Sequence, residues 1–117
     1  MEYLGNYDSY NMTTTPTFIG YKVDEQFVGV NSGHRTTNNG YRSRGLWVDP
    51  IFRGRGIGQK LLRATMDVGK SEGCIWVWSL PKQSSWTTYE AVGFEKKSEW
   101  FKSELDINAY CFKSLNH

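Results

Sequence analysis

From Leu46 to Leu62 the chain runs without a break through an apolar strand, an Asp-Pro turn, glycines alternating with arginines, and an amphipathic helix. Few arrangements satisfy that order. A strand that enters a helix through Arg53-Gly54-Arg55-Gly56-Ile57-Gly58 makes a cradle for an anion. Glycine lets the backbone approach a phosphate closely, and the amides opening the helix point outward with the positive end of its dipole behind them. Arg42, Arg44, Arg53, Arg55, Lys60 and Arg63 gather in the same stretch, where a polyanionic ligand would need them.

Two phosphate-binding patterns fail on the residues. A dinucleotide loop of the G-x-G-x-x-G type would need glycine where Gln59 follows Gly54-Arg55-Gly56. A P-loop would need G-K-[ST] at the helix start, and Gly58-Gln59-Lys60-Leu61 does not supply it.

The rest of the chain reads as a small α/β domain, and 117 residues suit one unit, 1–117, that buries roughly two thirds of its unfolded surface. Residues 1–16 are polar and rich in threonine, which predicts an arm or a short edge strand. Thr17 to Val23 and Phe27 to Gly33 are β-prone runs around Asp24-Glu25-Gln26, and Asn39-Gly40 predicts a second turn into a third strand, Tyr41 to Val48. Ile57, Leu61, Thr65 and Val68 recur at helical spacing, widened by Leu62 and Ala64, until Gly69 and Gly73 weaken and stop the helix. Cys74 to Trp78 predicts a strand parallel to the third one. A second helix is expected from an N-cap at Ser84 or Ser85 to Gly93, followed by strands at Phe94–Phe101 and Ile107–Leu115.

This β-β-β-α-β-α-β-β order, with a mixed, mostly antiparallel sheet and two core helices, resembles the GNAT acetyltransferase superfamily. The glycine loop is similar to that family's R-x-x-G-x-G signature, and Tyr89-Glu90-Ala91-Val92-Gly93-Phe94 is similar to its Tyr-Glu-x-x-Gly-Phe motif. The resemblance covers about residues 17 to 115 and implies an N-acetyltransferase that moves acetyl from acetyl-coenzyme A to a primary amine of a small molecule or protein. Arg53, Gly54, Arg55, Gly56, Ile57, Gly58 and Gln59 would hold the cofactor's pyrophosphate. The backbone of Leu46, Trp47 and Val48 would pair with its pantetheine arm, and Tyr89 would protonate the departing thiolate.

The chain also departs from the family. Lys82 stands where an asparagine is common, seven residues before the tyrosine, and leaves Ser84 and Ser85 as the nearest polar substitutes, with Ser85 expected at the cofactor. No carboxylate lies between Tyr41 and Val48 to act as base, so His34, Tyr41 and a water chain remain candidates. About sixteen residues precede the first predicted strand, so the two N-terminal helices usual in the family are not expected here. The acceptor site is then either open or completed by another subunit, and the aromatic surplus suits a substrate groove or a homodimer contact. These losses also favour an alternative, a GNAT-like module that binds coenzyme A or a protein partner with little or no turnover.

Composition excludes other classes. A formal net charge of +2 gives no argument for nucleic acid, and no apolar run approaches the about 18 residues of a membrane span. Cys74 and Cys111 sit in apolar runs without metal-ligand spacing, so free buried thiols, no metal and a cytoplasmic protein are expected.

Overall fold

The computed structural model describes residues 2–6, 16–103 and 106–115. Strands β1 (Glu2–Asn6), β2 (Thr17–Val23), β3 (Gln26–Arg35) and β4 (Gly40–Val48) form an antiparallel meander. Helix α1 (Ile57–Ser71) then carries the chain to β5 (Trp76–Ser79), which pairs parallel to β4. Helix α2 (Trp86–Ala91) leads to β6 (Glu95–Lys96), a short hairpin of β7 (Phe101–Lys102) and β8 (Ile107–Asn108), and finally β9 (Cys111–Ser114). The main sheet runs β1-β2-β3-β4-β5-β9-β6, with β7-β8 apart from it. The expected arm includes β1 as an edge strand, whereas residues 7–15 lie outside the described ones.

Local chemistry sets the turns. Asp24 and Glu25 both take positive φ, as a two-residue hairpin turn requires. The second turn falls one residue earlier than predicted: Asn38 and Asn39 hold the positive φ angles, and Gly40 opens β4 with the Trp76 ring too close for a side chain. Asparagine tolerates the left-handed region well enough to free that glycine for packing.

Gly69 does not weaken α1, which continues through it to Ser71. The Tyr41 ring fills the space instead, wedged between Gly69 of α1 and Gly33 of β3, where an added Cβ at Gly69 would meet Tyr41 Cγ at 2.9 Å. The helix ends in a Schellman motif on Gly73 (φ 84°), with the Cys74 and Gly73 amides donating to the Gly69 and Lys70 carbonyls. Tyr41 is thus a core residue, 1% exposed, and burial pushes its phenol up to about 12, which removes it from the candidate bases. Gly69→Ala is expected to lower stability by about 1–2 kcal/mol, because overpacking against a ring that cannot retreat outweighs the gain in helix propensity. A melting temperature equal to or above that of the parent would refute the wedge.

One face of the sheet packs under α1 and α2. Ile57, Leu61, Leu62, Thr65 and Met66 of α1 are buried there, against Ile19 and Val28 at one end and Val77, Phe94 and Cys111 at the other. A buried polar clasp ties the helix down: Asn31 Nδ2 donates to Ser43 Oγ at 2.8 Å and to Thr65 Oγ1 at 2.9 Å. No described helix is long and apolar enough to cross a membrane.

The C-terminal strands are shorter than predicted. Only Glu95–Lys96 and Cys111–Ser114 join the main sheet, since Ser98 Oγ accepts the Tyr110 amide at 2.9 Å and interrupts the ladder. The chain between them leaves as the β7-β8 hairpin, and Asn108 Nδ2 donates to the Leu80 carbonyl at 3.0 Å. The residues of the two strands predicted at Phe94–Phe101 and Ile107–Leu115 carry no local sign of that excursion.

Candidate active site

Strands β4 and β5 are paired only from Gly40–Arg42 to Trp76–Trp78. The last tie is the Ser79 hydroxyl, which donates to the Ser43 carbonyl at 2.7 Å. Beyond it the strands diverge, helped by a bulge in the β3–β4 ladder near Gly45, whose φ is 78°. The β4 edge from Gly45 to Val48 then borders a cleft of about 540 Å³, with Leu80, Pro81 and Lys82 on the far wall. An unpaired strand edge offers a row of amides and carbonyls to an extended ligand.

The glycine loop closes one end. Asp49 Oδ1 accepts the Ile51 amide at 2.9 Å and caps a 3-10 turn, Pro50–Phe52, which hands the chain to Gly54 and Gly56 at φ 79° and 78°. A Cβ at either of these two glycines would meet nothing within 4 Å, so positive φ is what demands glycine there. Gly58 has a different reason, since its Cβ would meet Thr88 Cγ2 of α2 at 3.0 Å. The first α1 hydrogen bond runs from the Lys60 amide to the Gly56 carbonyl, leaving the amides of Ile57, Gly58 and Gln59 outside the helix's own ladder.

Among the described residues the rim carries cations and no acid lines the cleft. The first turn of α1 contains no acidic residue, and among the described residues Arg53, Arg55 and Lys60 make no ion pair with a carboxylate. Free helix amides, open glycines and unneutralised cations fit a pyrophosphate, and the bare β4 edge continues from them into the cleft. Among the described residues no cluster of His, Cys, Asp and Glu could hold a metal.

Most of the expected site residues converge here. Leu46, Trp47, Val48, Arg53, Gly54, Gly56, Ile57, Gly58, Gln59, Ser85 and Tyr89 all line the cleft. Arg55 does not, because its guanidinium stacks 5.0 Å from the centre of the Phe52 ring; Arg53, anchored by a 3.2 Å bond from Nε to the Val48 carbonyl, is the arginine that faces it. Ser85 occupies the N-cap position of α2 without a capping bond from its side chain, so the expected cap does not form.

Tyr89 is held by the motif that ends α2. Gly93 at φ 97° allows a second Schellman motif, in which the Phe94 amide donates to the Tyr89 carbonyl and the Gly93 amide to that of Glu90. The Phe94 ring then packs edge-on to Tyr89, centroids 5.3 Å apart, as the hydrophobic contact such caps favour. The tyrosine is 3% exposed, and burial pushes its phenol up to about 12 against a lowering hydrogen bond with Ser79. It therefore keeps its proton across the neutral range.

His34 lies elsewhere. It pairs across β3–β4 with Arg42, outside the lining of the cleft, and its pKa is lowered by burial first and then by Arg42 and Arg44. Three contributors escaped the sequence reading. Gly45 sat inside a predicted strand, where an isolated glycine signals a bulge. Thr88 faces the cleft from α2 as the close neighbour of Gly58. Asn108 reaches the rim opposite Lys82 through the β7-β8 hairpin, so an asparagine stands beside the position where the motif lacks one; no local signal marks it.

Comparison with known proteins agrees with this geometry. No curated protein sequence matches the chain at a significant level. Among solved structures, an acetyltransferase of the GNAT family from Staphylococcus aureus Mu50 superposes with a TM-score of 0.73 at 22% identity, covering 86% of this chain and 68% of the other. An aminoglycoside 6'-N-acetyltransferase complexed with coenzyme A gives 0.76 at 12% identity over 87% and 74%. The PaiA N-acetyltransferase from Thermoplasma acidophilum, in complex with coenzyme A, gives 0.71 at 17% over 85% and 60%. At such identities these likenesses speak for the fold, and the family follows from sequence: the acetyltransferase (GNAT) family model matches residues 2–94, to which this chain accordingly belongs.

Proposed function

We propose that the protein transfers acetyl from acetyl-coenzyme A to a primary amine of a small molecule or a protein. The observation that carries this reading is the junction of three features in one cleft: a bare β4 edge, a glycine loop at a helix N-terminus, and a buried, protonated Tyr89. Bound coenzyme A would supply an acetyl thioester. The α1 amides and Arg53 would hold its phosphates, the β4 backbone would align it, and Tyr89 would supply the proton that the leaving sulfur needs.

Neither cysteine suits a covalent route. Cys74 and Cys111 are both buried, and burial raises both thiols, Cys111 to about 12, so the transfer is direct. Free thiols also accord with a reducing, cytoplasmic setting. Release of free thiol from acetyl-coenzyme A on addition of an amine panel tests the reading. Binding without release would favour the alternative, a module that senses coenzyme A.

Among the described residues no carboxylate borders the cleft, and His34 is outside it, so the amine must shed its proton largely unaided. For a lysine-like acceptor, kcat/KM should rise with pH toward about 10.4. His34→Gln should leave that profile unchanged, since a lowered histidine pKa keeps the ring neutral throughout the range. A plateau near neutrality that disappears in His34→Gln would make the histidine the base.

A further inference from the structure

The face of the sheet away from the helices carries a ladder of cations and aromatics. His34 is opposite Arg42, Arg42 is beside Trp78, and Trp78 is opposite Phe112, so these side chains share one face across β3, β4, β5 and β9. The neighbours in sequence, Tyr41, Val77 and Cys111, are buried on the helix side. Ser32 pairs with Arg44 and Val30 with Trp47, which puts Arg44 and the exposed Trp47 on the open face too.

Arg42 is the unusual member. Its guanidinium stacks 4.9 Å from the centre of the Trp78 ring, and its Nε is buried with no hydrogen-bond partner. Among the described residues neither Arg42 nor Arg44 pairs with a carboxylate, and burial and then Arg44 lower the Arg42 pKa. Native proteins seldom leave a buried donor unmatched. The guanidinium stacked on the Trp78 ring is a planar fork of donors, the geometry that recognises a carboxylate.

Position gives the cluster its meaning. Arg42 is the last β4 residue paired with β5, and Arg44 immediately precedes Gly45, where the cleft begins. Leu46 and Val48 turn toward Gly58 on the helix side, where the glycine loop lies. A second reactant therefore has the open face as its approach, and meets these arginines beside the strand opening.

We propose that Arg42 and Arg44 form a subsite for a carboxylate carried by the acceptor, so that the substrate is an amine bearing an acidic group. This rests on the acyl-transfer reading above. The test uses matched amines that differ by one carboxylate, cadaverine against lysine and tyramine against tyrosine, with acetyl-coenzyme A and the full chain. The carboxylate member of each pair should show kcat/KM higher by at least about tenfold, mostly through KM, as a charged hydrogen bond allows. Arg42→Gln and Arg44→Gln should erase the preference while calorimetry finds unchanged affinity for acetyl-coenzyme A. Equal rates within each pair, or a preference that survives both substitutions, would overturn the subsite. Binding of N-acetyltyrosine in the presence of coenzyme A separates the two readings. If no amine is acetylated yet this ligand binds and Arg42→Gln abolishes it, the subsite stands and acyl transfer falls; if it does not bind either, the subsite is wrong.

Discussion

Gly56→Val should remove acetyl-coenzyme A binding altogether while leaving the protein folded. Gly56 holds φ 78° at the N-cap of α1, a region that a β-branched residue adopts only under strain. Relieving the strain means rotating the peptide that directs the free amides of Ile57 and Gly58. Those amides and the helix dipole are the principal phosphate contacts the loop can offer. An added side chain meets open space on the protein side, so the core has no reason to respond. Calorimetry should therefore detect no heat of binding in a variant whose melting temperature changes by only a few degrees. Unchanged affinity in that folded variant would show that the 53–58 loop is not the phosphate site.

Tyr89→Phe is the second large effect. Phenylalanine preserves the edge-on contact with Phe94 and the Schellman cap, and deletes only the hydroxyl near Ser79. A general acid typically contributes about 10²- to 10⁴-fold, so turnover should fall at least about tenfold with little change in cofactor affinity. A phenol raised to about 12 is fully protonated at neutral pH, which means the loss should be present at every pH below that range. Equal turnover at saturating substrate would assign Tyr89 to the core and leave proton delivery to solvent.

Both predictions concern residues visible before the structure, and the reason is local. The R-x-x-G-x-G loop and the Tyr-Glu-x-x-Gly-Phe motif each describe one chain reversal, in which Gly54, Gly56 and Gly93 answer to the positive φ angles of that same segment. The structure alone divided the loop's glycines into two whose backbone angles require them and one, Gly58, that lets α1 approach Thr88.

Other features depend on segments far apart in the chain. Gly69 reads as a helix weakness until Tyr41, twenty-eight positions earlier, is found lying across it. The contribution of Asn108, the exclusion of His34 from the cleft, and the alignment of Arg42 with Trp78 all follow from register between strands. Periodicity and turn chemistry act within a dozen residues, so the amino-acid sequence by itself determined the family, the element order as far as α2 and the glycine loop between β4 and α1. Where β4 and β5 part, and which side chains meet at that opening, are set by long-range pairing and packing, which only the tertiary structure decided.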